Sequence, residues 1–118
     1  MIKQMPETKK ADKRRFERVE ISPEAQVVVY DFKGRKAGLL RQLARGGFMM
    51  TPEKDYGKDT KIYNFTIHEP KEDIRVTVNA RVRSAGENYA GFEFIDLGPD
   101  AAVSIGLIIG AYYEHKKE

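Results

Sequence analysis

Hydrophobic and polar positions alternate with period two along much of this chain. The clearest case runs through residues 74–83, where Ile74, Val76, Val78, Ala80 and Val82 interleave with Arg75, Thr77, Asn79, Arg81 and Arg83. That spacing predicts a long strand with one buried and one wet face. Lys61 to His68 repeats the pattern, with Ile62, Asn64, Thr66 and His68 on one face and Tyr63, Phe65 and Ile67 on the other. Gln26 to Phe32 is rich in β-branched and aromatic residues and follows a bend at Ser22-Pro23. Lys33-Gly34 marks a hairpin tip, and a further strand runs from there to about Leu43. Phe48-Met49-Met50, after Gly46-Gly47, and Tyr89 to Ile95, after the turn at Ala85–Asn88, complete the set. Six short strands separated by turn residues predict a small antiparallel barrel or sandwich.

The chain ends in a different pattern. Gly98-Pro99-Asp100 opens a segment, Ala101 to Tyr113, that is apolar around much of its circumference. Proline at a helix start with an acidic neighbour predicts a helix over about 99–114. Such a helix closes a barrel end or meets a partner. Gly106 and Gly110 share one face and permit close backbone approach. Packing of that face on the chain's own barrel is the first expectation, and a homodimer through the C-terminal helix the second.

Length and charge refine the picture. At 118 residues the chain suits one domain, because halves of about 60 residues have marginal cores. The net charge of +3 is unevenly placed. Residues 1–18 carry seven basic and three acidic side chains, leaving 14 basic and 15 acidic groups for the other hundred residues. The positive excess therefore sits in an N-terminal arm, residues 1–13 and the start of the domain, which spans 14–118. The arm is polar and charged and is expected to be flexible in isolation. With no cysteine there is no disulfide, thiol catalyst or Cys-based zinc site. The first twenty residues lack an apolar stretch, and 101–113 is too short to span a membrane, which takes about 20 residues. A soluble cytoplasmic protein is expected.

Little points to catalysis. His68 ends a strand, His115 lies in a charged tail, and neither has a ligand partner at helical spacing. The carboxylates are scattered over strand edges and turns, where a solvated surface accounts for them. No Gly-rich phosphate loop precedes a helix. No enzyme, metal or cofactor is expected. The informative stretch is Arg14-Arg15-Phe16-Glu17-Arg18. Arginine offers a planar fork that binds phosphate bidentately and a flat face that stacks on bases. Arg14 and Arg18, four apart where the arm joins the folded domain, are expected to converge on one compact anion.

RRFERVEI, then QLARGGFMM about 25 residues on, then YAGFEFIDL before a terminal helix, together resemble the PilZ domain family. The resemblance covers roughly residues 13–113. It implies a six-stranded antiparallel β-barrel with a C-terminal α-helix, and in many members a site for the bacterial second messenger cyclic di-GMP. The family signature is RxxxR in the N-terminal loop followed by [D/N]xSxxG on the second and third strands. Arg14 and Arg18 match the two arginines, which in relatives bind the phosphates and guanine faces of the dinucleotide. Arg15 fills a frequent extra position outside the minimal signature. Gly47 matches the terminal glycine, whereas Gln42 stands at the Asp/Asn position and Ala44 at the Ser position.

These two departures have a size. Ala44 lacks a hydroxyl hydrogen bond of about 0.5–1.5 kcal/mol. Gln42 keeps an amide but lengthens it by a methylene and drops the carboxylate charge, at a guanine contact of about 1–3 kcal/mol. Together they reach about 4 kcal/mol, or three decades in affinity, unless Arg45 compensates. Three readings follow. In the first, cyclic di-GMP orders the arm against the barrel, and the complex signals to a protein partner. The second is a diverged domain acting as a nucleotide-independent protein-interaction module, which Gln42 and Ala44 favour. The third, a small barrel for single-stranded nucleic acid, is opposed by a barrel of net charge −1 without an interleaved basic and aromatic strand.

Overall fold

A computed structural model describes residues 18–57 and 60–117, with side chains described to Tyr113. Seven strands and one helix follow in chain order. They are β1 (Arg18–Glu20), β2 (Val28–Tyr30), β3 (Lys36–Ala44), β4 (Gly47–Pro52), β5 (Ile62–Glu69), β6 (Ile74–Ala85), β7 (Ala90–Ile95) and α1 (Pro99–Lys117). All strand pairs are antiparallel, and β3-β2-β5-β6-β7-β4 closes back on β3 as a six-stranded barrel. These six are the strands that alternation, β-branched and aromatic runs, and turn residues predict. The seventh, β1, pairs with the half of β3 that extends beyond β2, through Arg18↔Ala44, Val19↔Leu43 and Glu20↔Gln42. Arg18 therefore stands in a strand rather than in a loop.

Alternation decides what goes inside. Phe65 and Ile67 of β5 and Val76, Val78, Ala80 and Val82 of β6 are buried, and their polar neighbours point outward. Phe48, Phe65 and Phe92 meet in the interior, Phe92 stacked on Phe48 at 5.1 Å and edge-on to Phe65 at 5.0 Å. Offset and edge-to-face pairs of this kind add about 0.5–1.5 kcal/mol each to the burial of the rings. Tyr56, from the segment after β4, is buried edge-on against Phe65 and Phe92. The hairpin at Lys33-Gly34 is tied by Asp31, whose carboxylate accepts from the Lys33 and Arg35 amides at 2.9 Å, with Gly34 at φ +79°.

The helix lies against β1, β3 and β6 and buries Ile105, Ile108, Ile109 and Tyr112. This corrects the expectation that the glycine face packs on the barrel. Gly110 is exposed, with open space where a Cβ would stand, and Val103 and Leu107 on the same side are 62% and 57% exposed. A helix apolar all round buries whichever side carries the larger side chains, and here the three isoleucines and Tyr112 do so. The expectation that the carboxylates are solvated fails at Glu69, which is fully buried. Its oxygens accept from the Lys71 and Glu72 amides at 2.9 and 2.7 Å and from the Tyr112 hydroxyl at 2.5 Å, so every strong acceptor is met without water.

Candidate functional site

One lateral row of paired residues crosses five strands on the outer face of the barrel. Arg18 of β1 stands opposite Ala44 of β3, Ala44 opposite Gly47 of β4, Gly47 opposite Glu93 of β7, and Glu93 opposite Arg81 of β6. The next row on the same face runs Glu20, Gln42, Met49, Gly91 and Ser84. A bulge makes this possible. In β3 the register shifts between Leu40 and Gln42, so Leu40 and Leu43 both point inward while Gln42 and Ala44 point outward. Were Arg41 an ordinary paired residue instead of the extra one of a bulge, strict alternation from Leu40 would send Gln42 and Ala44 into the core. A second shift, between Val82 and Ser84 in β6, brings Ser84 opposite Gly91.

The two rows, apart from Glu20 and Arg81 at their ends, line an open groove of about 500 Å³, within the range of small-ligand clefts, about 300–1,000 Å³. Arg18, Gln42, Ala44 and Gly47 all border it, so four of the six residues named from sequence meet at one place. Arg14 and Arg15 lie outside the described residues. The groove also holds Arg83, Ser84 and Glu93, which sequence reasoning did not single out. Nothing in a lone Arg83 or in the Glu of GFEF marks them as neighbours of Gln42, because strand register brings them there.

Electrostatics sort the groove's cations. Glu93 accepts from Arg81 at 2.8 Å and from Arg83 at 2.7 Å, and these two bonds hold its carboxyl below the usual carboxylate range. Arg83 is thereby neutralised locally. The Arg18 side chain makes no hydrogen bond or ion pair with another described residue, which leaves it the groove's unpaired cation among them. A guanidinium offers a planar fork of donors suited to an anion. Arg45, in the turn between β3 and β4, points the other way, toward Gly106 of α1, and does not line the groove.

The glycine of the second motif acts through the backbone. A Cβ on Gly47 would run into the Phe92 carbonyl oxygen of β7, so only glycine lets β4 and β7 approach as closely as they do. Ala44 is half-buried between Arg18 and Gly47. A serine there would set its hydroxyl into the groove beside the Arg18 guanidinium. Among the described residues no group of three His, Asp or Glu side chains is placed to hold a metal ion, and no helix is long and apolar enough to cross a membrane.

No curated protein matches the chain by sequence. Its fold is similar to that of several solved structures. The PilZ domain with c-di-GMP of YcgR from Escherichia coli superposes with a TM-score of 0.68 at 12% identity, covering 85% of this chain and 91% of that one. The Bacillus subtilis inhibitor of motility, MotI/DgrA, gives 0.68 at 12% identity over 85% of this chain and 50% of that one. The PilZ domain of CeSA from a cellulose-synthesizing bacterium gives 0.57 at 16% identity, over 80% and 95%. At these identities the likeness is one of fold. The PilZ domain family model itself matches residues 12–110, which take in the arginine cluster, both outward rows and most of the helix, and so the chain belongs to the PilZ domain family.

Proposed function

We propose that this chain is a cyclic di-GMP receptor whose arginine-bearing arm closes over the groove when the dinucleotide binds, and which then engages a protein partner. The observation that carries this reading is the meeting of Arg18, Gln42, Ala44 and Gly47 around a groove in which Arg18 has no ion pair with another described residue. The YcgR domain, similar in fold, is a c-di-GMP complex. Arg18 binds one phosphate, Gln42 turns its amide to a guanine edge, and Gly47 keeps the floor of the groove level. Arg14 and Arg15 add their forks from above as the arm orders. No step of this role breaks a covalent bond, and the protein works as a receptor and adaptor.

A second reading keeps the same surface without the nucleotide. Ala44 and Gln42 remove one hydroxyl and one carboxylate, and the groove then serves as a protein-interaction face. Hydrogen exchange on the full chain, with and without cyclic di-GMP, separates the two. The receptor reading expects added protection in residues 13–20 and 42–47 at saturating nucleotide. Unchanged exchange at millimolar nucleotide contradicts it and favours the second.

A further inference from the structure

The solvent side of α1 is the least expected surface of the molecule. Val103, Leu107 and Gly110 recur at helical spacing opposite the buried isoleucines, and the two apolar side chains are more than half exposed. Beside Leu107 runs a hollow of about 500 Å³ lined by Glu72, Ile74, Gly106, Leu107, Gly110 and Ala111. A projecting leucine and a hollow floored by two glycines thus adjoin on one patch.

The charges on this patch are arranged by sign. Arg45 lies at Gly106, with its guanidinium nitrogens 3.5 and 3.8 Å from where a Cβ on that residue would be. Glu72 stands at the other end, its amide hydrogen-bonded to Glu69, whose carboxylate also takes the Tyr112 hydroxyl. Gly106 and Tyr112 are six residues apart, about 9 Å along the axis. Neither Arg45 nor the Glu72 carboxylate has an ionic partner among the described residues.

We propose that the exposed face of α1 is the interface of a homodimer, in which Leu107 of each copy enters the other's hollow and Arg45 faces the partner's Glu72. A two-fold axis requires a patch to be complementary to itself. This one is, since a rotation about an axis between Leu107 and the hollow beside it exchanges projection with hollow and the positive end with the negative end. An unrelated partner requires neither match. The glycines let two helix backbones approach closely, and the charged ends fix the antiparallel direction, because a parallel pairing sets Arg45 on Arg45. The proposal is independent of nucleotide binding.

Sedimentation equilibrium of the full chain without nucleotide, over about 1–200 μM, tests it in the concentration range of modest interfaces. The wild type is expected to form a dimer. A Cβ at Gly110 meets nothing within 4 Å, so Gly110→Leu projects into the hollow without a clash at its root and is a better helix former. It should raise the monomer's Tm while weakening association at least about tenfold, a combination that misfolding does not produce. Arg45→Glu and Glu72→Arg should each weaken association about tenfold, and the double variant should return to within about threefold of wild type. A wild-type monomer, as follows if a different protein or the chain's own arm takes this face, overturns the proposal. So does a dimer indifferent to Gly110→Leu, or a charge-reversal pair without rescue.

Discussion

Glu69 carries a carboxylate into the interior and satisfies it with two backbone amides and the Tyr112 hydroxyl, 43 residues further along the chain. That hydroxyl ties the last turns of α1 to the end of β5. Tyr112→Phe removes one donor and leaves a buried oxygen short of a partner, so a loss of about 1–3 kcal/mol is expected by urea denaturation. Burial and the Glu69 carboxylate both push the Tyr112 phenol well above its ordinary 10.0. Its contribution is complete below pH 10 and falls as the pH rises beyond it, because the unfolded chain then ionises the phenol while the folded one does not. Glu93 behaves in the opposite sense. Its folded pKa is lowered by Arg81 and Arg83, so its contribution is complete above the usual carboxylate value of about 4.3 and is lost as the pH falls through the lower folded value. Thermal melts from pH 6 down to pH 2.5 should show a shallower acid loss in Glu93→Gln than in the wild type. Parallel curves contradict that assignment.

At the scale of elements, the seam between β4 and β7 depends on Gly47, whose missing side chain leaves room for the Phe92 carbonyl. Gly47→Ala should cost about 1–3 kcal/mol in denaturant whether or not nucleotide is present. A variant with wild-type stability and weakened binding would instead make Gly47 a ligand contact. The six barrel strands were legible from alternation in β5 and β6, and from β-branched or aromatic runs bounded by turn residues in the other four. Strand β1 was not, since Arg18–Glu20 is too short for a period to register, and it is a strand only because β3 has an open edge beyond β2. The bulge at Arg41 was equally hidden. It shows itself in the register between β3 and β4, which no local pattern encodes.

For the molecule as a whole, the sequence placed the basic cluster and both motifs in order, and folding brings Arg18, Gln42, Ala44 and Gly47 to one groove. What local pattern could not supply were pairings at a distance. Examples are Glu93 with Arg81 and Arg83, Glu69 with Tyr112, and Arg45 over Gly106. Each joins residues from separate elements whose spacing in the chain carries no period. The helix was legible as a helix, but its buried side was not, because a segment apolar all round has no preferred face until a barrel is set beside it. Isothermal titration with cyclic di-GMP tests the central claim most directly, comparing the wild type with Arg18→Ala and with the Gln42→Asp/Ala44→Ser pair. The account predicts measurable binding by the wild type, a loss of about ten- to a hundredfold in Arg18→Ala, and a gain in the pair that restores the serine hydroxyl and the carboxylate. Wild-type binding that survives Arg18→Ala unchanged, or no heat at millimolar nucleotide in the restored pair, would contradict it.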